Sequence, residues 1–98
     1  MSKAIDLYLE ILSDYGLEEN LKHYQFFPKL KKAIRTYGDN AVHRAIIDCE
    51  TYLEEYWCER NKEIYKTDLH KVKHFTQMIL GTLYNRRNRV SKILEIQQ

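Results

Sequence analysis

The sequence predicts an all-α fold, a compact bundle of five to six helices around one core. Apolar residues recur with a period near 3.6 over most of the chain, the signature of amphipathic helices. Gly occurs three times and Pro once in 98 residues. A multi-stranded sandwich or barrel needs turn residues far more often. Three of those turn formers, Gly16, Pro28 and Gly38, also fall at the ends of apolar stripes, where helices start or stop. With 44% hydrophobic and 31% charged residues, the chain is globular and reads as one domain, 1–98.

Ser2 is placed to cap a first helix running to about Tyr15, with Ile5, Tyr8, Leu9 and Leu12 on one side. Gly16 stops it, since Gly takes the left-handed conformation without strain. A short second helix is expected from Leu17 to about Tyr24, with Leu21 inward. Pro28 marks the start of a third, because its missing amide would have no helical partner there. That helix runs to Tyr37 with Leu30, Ala33, Ile34 and Tyr37 as its stripe. Gly38 closes it and Asp39 caps the next.

The fourth helix, Asp39 to Cys58, carries the clearest stripe: Val42, Ala45, Ile46, Cys49, Tyr52, Leu53 and Tyr56. Trp57 sits at its edge. Arg60 to Lys66 is a connection. Thr67 caps a fifth helix to about Tyr84, with Leu69, Val72, Phe75, Thr76, Ile79, Leu80 and Leu83 inward and Gly81 as a weak point. After a junction at Asn85-Arg86-Arg87-Asn88, a last short helix carries Val90, Ile93 and Leu94. The two long helices are expected to pack together.

No apolar run reaches the 18 or so residues of a membrane span, and the first residues lack the apolar region of a secretory signal. Two cysteines are too few for a disulfide scaffold. A cytoplasmic location follows as the expectation. Net charge is only +2, but its distribution is uneven. Asp48, Glu50, Glu54, Glu55 and Glu59 form a block without a base among them. From Arg60 onward, nine Lys and Arg residues face three acids.

Candidate chemistry is thin. His70 and His74 stand four apart, the spacing of metal ligands on one helix face, and eleven residues separate Cys58 from His70. Cys49 lies nine residues from Cys58, however, a helical rotation of about 180° that sends the thiols apart. The histidine pair reads as solvated, on a polar face shared with Gln77. No metal and no cofactor is expected. Cys49 lies within an apolar stripe, where a thiol behaves as a small hydrophobe. The acids around Cys58 oppose thiolate formation. With no nucleophile–base pair and no Gly-rich phosphate loop, the chain is expected to bind and not to catalyse. Tyr8, Tyr37, Tyr52 and Tyr56 lie on apolar stripes and read as core or its rim. Tyr15, Tyr24, Tyr65 and Tyr84 fall at helix ends, and a ring with a polar tip also suits an interface.

Two surfaces remain. Tyr84, Asn85, Arg86, Arg87 and Arg89, with Lys92, place four cations beside an aromatic ring and an amide. Guanidinium groups hold phosphates, and asparagine can reach phosphate or base edges. An ordinary basic surface pairing with the acidic helix is the competing reading. The acidic face, Glu50, Glu54, Glu55 and Glu59 with Trp57, would serve a protein partner, or a second copy of the chain in a homodimer.

Ile34-Arg35-Thr36-Tyr37-Gly38, then Val42 with Ala45-Ile46, then Phe75 with Met78-Ile79-Leu80 and Tyr84-Asn85-Arg86 follow a familiar order. Over about residues 30–89 the chain resembles the C-terminal domain of DnaD-type primosome and phage replisome proteins. It departs from them where Leu83-Tyr84 stands in place of a Trp, and in its longer, more acidic stretch from Glu50 to Lys66. The resemblance implies a helical module that helps bind DNA or a replication protein, with the basic tail after the last long helix as the contact. In composition the chain also resembles small phage accessory proteins, among them inhibitors of host nucleases and CRISPR complexes. The expected function is therefore a phage- or mobile-element-type binding module for nucleic acid or a nucleoprotein complex, through Arg86, Arg87, Arg89 and Lys92. The alternative is an inhibitor or adaptor that binds protein through the acidic face.

Overall fold

The computed structural model describes residues 2–17 and 26–97, with side chains through Arg89. Five α-helices make up the fold among the described residues, in the order α1 (Lys3–Asp14), α2 (Phe27–Tyr37), α3 (Asp39–Glu50), α4 (Leu53–Tyr56) and α5 (Asp68–Gln97), with a single 3-10 turn at Glu59–Asn61. The expected all-α bundle is what the chain forms. The expected short helix at 17–24 falls outside the described residues, except that Leu17 is buried.

Both ends of α1 are built as the sequence indicates. Ser2 is extended, and its hydroxyl accepts from the Ile5 amide at 3.1 Å, tying down one of the orphan donors of the first turn. At the other end the Leu17 amide bonds back to the Leu12 carbonyl and the Gly16 amide to that of Ser13. Gly16 takes φ +71° to allow it. This is a Schellman closure, which brings the apolar residues Leu12 and Leu17 together, and both are buried. The buried face is Ala4, Tyr8, Ile11 and Leu12. It is rotated from the expected one, leaving Ile5 and Leu9 half-buried.

Asp39 departs from expectation. Gly38, at φ +92°, closes α2 through its amide to Ile34 and occupies the cap of α3 without a side chain. The Asp39 carboxylate turns instead to the start of α1. It accepts from the Ser2 hydroxyl and from the Lys3 and Ala4 amides, the last two at 3.0 and 3.2 Å. These bonds, the Ser2 hydroxyl first, hold its carboxyl below the usual range. A carboxylate is favoured there because the first turn of a helix exposes amides and a positive dipole end. The consequence for topology is that α1 and α3 start at one corner and run side by side. At the far end Tyr15, just past α1, meets Trp57, just past α4, and feels the charge of Glu50 at the end of α3.

The expected fourth helix is not continuous. The Thr51 hydroxyl donates to the Asp48 carbonyl at 2.7 Å, and the Tyr52 amide reaches only three residues back, to Cys49. A β-branched residue with a backbone-seeking hydroxyl lowers the local helix preference, and the chain tightens at Thr51-Tyr52. Leu53 keeps its place in the core, while Tyr52 and Tyr56 swing out to 52% and 41% exposure. Their expected place on the buried stripe is therefore overturned.

The opposite correction applies to α5. Thr67 caps it as expected, accepting from the His70 amide at 3.1 Å. The helix then runs straight through the expected break at Asn85–Asn88 to Gln97. That stretch contains neither Gly nor Pro, and each Asn costs a formed helix only about 0.7 kcal/mol relative to Ala. A 30-residue helix spans about 45 Å, matching the 47 Å long axis of the molecule. Val72, Phe75, Thr76, Ile79 and Leu83 are buried, whereas Leu69, in the first turn, is 45% exposed. The side chains of Val90, Ile93 and Leu94 lie outside the described residues.

The core joins α1, α2, α3 and α5. At its centre Tyr8 stacks on Phe75, with ring centroids 5.5 Å apart and planes at 10°. The Tyr8 hydroxyl lies 2.9 Å from Thr76 Oγ1, which donates to the Val72 carbonyl at 2.8 Å. With the threonine proton so committed, Tyr8 must donate to Thr76. The expected contact between the two long helices is present as α3 against α5. They run in opposite directions, since Asp48 meets Arg86 and Trp57 meets His74.

Candidate functional site

Three surfaces result from this layout. The first is the corner where α1 and α3 both end. Neither helix has a basic residue in its last turn. Asp14 and Glu50 occupy those turns, and Glu54 follows on α4. All three are exposed. Their charges, after partial burial of the ring, push the Tyr15 hydroxyl up. Two helix C-termini already present negative dipole ends, where a carboxylate is disfavoured by about 0.3–1 kcal/mol. Among the described residues no Lys or Arg pairs with Asp14, Glu50, Glu54 or Glu55, while Glu59 pairs with Lys62 at 2.9 Å. The chain thus concentrates negative charge where its own fold opposes it.

Trp57, expected on the acidic surface, is turned inward. Its ring meets Tyr15 edge-on at 5.1 Å and Phe75 at 6.3 Å. Its indole Nε1 donates to His74 Nδ1 at 3.0 Å. Tyr56 and Tyr65 close over the same imidazole at 5.1 and 4.5 Å. His74 is therefore not the solvated residue expected. Its accepting Nδ1 requires a neutral ring, and burial lowers its pKa below 6.5. His70, by contrast, is exposed. Among the described residues no three His, Cys, Asp or Glu side chains come close enough to hold a metal ion. Cys49 is buried, 3.5 Å from Thr82 Oγ1, and burial raises its thiol pKa.

The second surface is the basic run, which proves to be part of α5 and not a loop. Its cations are spread around the helix, at about 100° per residue. Arg86 pairs with Asp48. Arg87 lies over the Tyr37 ring at 6.0 Å. Asn85 and Arg89 are exposed on one face, which the helical register continues to position 92. The side chain of Lys92 lies outside the described residues. Tyr84 is 60% exposed.

The third surface was not legible in the sequence. The outward swing of Tyr52 and Tyr56 opens a groove of about 580 Å³ between the α3–α4 turn and α5. Cys49, Met78, Gly81 and Thr82 line it, and the Asp48–Arg86 pair stands at one end. The signal that could have located it was Thr51, interrupting an otherwise regular stripe.

Among the described residues no helix is long and apolar enough to cross a membrane. Compared with family models, curated proteins and solved structures, the chain matches none.

Proposed function

We propose that this chain is a non-catalytic binding module that engages a basic surface of a partner protein through the acidic corner at the ends of α1, α3 and α4. One observation carries this reading: Asp14 and Glu50 sit on two helix C-termini at a cost to folding, with Glu54 beside them at the start of α4 and no cation among the described residues paired to the three. Charge kept against the interest of the fold is accounted for by a partner that neutralises it. Glu55 and Glu59 extend the surface. Such rim charges act mainly by steering encounter. An inhibitor of a nucleic-acid-binding protein, occupying a basic channel as phosphates do, belongs to this class, in keeping with the compositional likeness to phage accessory proteins.

The test is affinity capture from a host lysate with and without nuclease, comparing the parent with Glu50→Gln/Glu54→Gln. A protein partner that survives nuclease and is lost with the double variant supports the reading. Capture indifferent to the two charges refutes it.

A second reading, nucleic-acid association as the likeness to DnaD-type domains implies, is favoured by the exposed face of Asn85 and Arg89. With Arg86 and Arg87 engaged within the fold, two contacts, from Arg89 and Lys92, give a log–log salt slope of about −2 on duplex DNA. Titration of labelled duplex at two salt concentrations, flat at the lower one, would remove it.

A further inference from the structure

We propose that α5 of a second copy of this chain packs into the groove at Gly81, forming a twofold dimer that buries Tyr52 and Tyr56. This interface borders the acidic corner and shares only Glu55 with it, and the proposal does not depend on the reading above.

Gly81 sits in the interior of a 30-residue helix. A glycine there costs about 1 kcal/mol relative to alanine. Glycine is usually kept inside a helix where a neighbour needs the space of a Cβ. Here an added Cβ would meet nothing within 4 Å, so nothing within the described fold requires it. Close approach of another backbone would. The walls beside it are large exposed rings, Tyr52 and Tyr56, with Tyr84 further along α5. Exposed tyrosines around a groove that also presents Met78 and Arg86 carry residue types enriched at interfaces.

The occupant follows from charge and register. The segment from Asp48 to Trp57 runs antiparallel to α5. Asp48 stands level with Arg86, and Tyr56 with Gln77. Arg89 therefore lies on α5 beyond the paired Asp48–Arg86 end of the groove, and Glu55, beside Tyr56 on α4, lies toward the other end. A twofold axis through Gly81 sets two α5 helices antiparallel and reverses this order in the partner. Asn85 of one copy then comes level with the partner subunit's Gln77. Arg89, eight residues or about 12 Å beyond Gly81, reaches the flank of the partner subunit's α4, where the partner's Glu55 is exposed. The same contact repeats in the other direction. A twofold interface needs one patch complementary to itself, and this patch is.

The test is sedimentation velocity of the full chain over a concentration series, with helicity checked by circular dichroism. The parent should pass from monomer to dimer. Gly81→Arg, whose side chain enters open space in the monomer, should fold and stay monomeric. Glu55→Arg and Arg89→Glu should each weaken association at least tenfold, and their equimolar mixture should recover a heterodimer. A parent that remains monomeric throughout overturns the proposal, and the groove then belongs to a different protein. A dimer indifferent to Gly81→Arg, or single charge reversals that do not rescue each other, overturns it as well.

Discussion

The buried pair of Tyr8 and Thr76 allows a test in which the direction of one hydrogen bond decides the outcome. Both residues are essentially inaccessible, at 1% and 0% exposure. Thr76 donates to the Val72 carbonyl, so the Tyr8 proton goes to Thr76 Oγ1. Tyr8→Phe removes that donor and leaves Thr76 still donating, with only an acceptor lone pair unused. The loss should be about 1 kcal/mol, the net worth of one hydrogen bond. Thr76→Val keeps the shape but leaves the tyrosine O–H buried without an acceptor, which costs about 2 kcal/mol or more. The double variant has neither group and should lose no more than Tyr8→Phe alone. Independent effects would sum to about 3 kcal/mol, so the cycle should return a coupling of about 2 kcal/mol. Urea unfolding followed by the fluorescence of the single tryptophan provides the measurement. Equal losses for the two single variants, or a double variant equal to their sum, would refute the donor assignment and the tightness of this core.

Other consequences follow from the same packing. Ile46→Ala and Leu53→Ala each empty a fully buried site and should cost about 2–5 kcal/mol, seen as lowered urea midpoints. Gly81→Ala should raise monomer stability by about 0.5–1 kcal/mol, checked by urea unfolding at a concentration where the chain is monomeric. His74 has a depressed pKa in the fold, so the unfolded chain takes up its proton first. Its contribution should be complete above pH 6.5 and be lost as pH falls from 6.5 through the lower folded value. Trp57 emission should change over the same window. His74→Gln should abolish this slope while leaving the separate one below pH 3.8 that comes from Asp39.

Residues whose local chemistry and burial agree were legible in the sequence. Ser2, Gly16, Pro28, Gly38 and Thr67 punctuate the chain where expected, and Val42, Ala45, Ile46, Cys49 and Leu53 form one buried stripe. What stayed hidden depended on competition between sites. Asp39 has a cap position within its own helix, but a second helix start beside it offers an amide pair and a hydroxyl. Asn85–Asn88 read as a break because Asn favours turns, whereas a helix already long is not ended by a modest preference. Tyr52 and Tyr56 fit the period of the stripe, and only the tightened turn at Thr51 removes them from it. His74 looked solvated because its partner Trp57 lies seventeen residues away in sequence. The basic run was identified by composition, but composition could not tell that Asp48 and the Tyr37 ring would engage two of its arginines.

The bond between Ser2 and Asp39 joins positions 37 residues apart, so the chain leaves this point, builds α1 and α2, and returns to it. Those two helices are a closed excursion whose ends touch at this doorway, while along their length they pack on α3 and α5. The entropy of such a loop grows only with the logarithm of its length. Eight residues added between α1 and α2 would cost about 0.2 kcal/mol in closure. Sequence length between these helices is thus nearly free to drift, while the two residues at the doorway are fixed by the geometry of their bond.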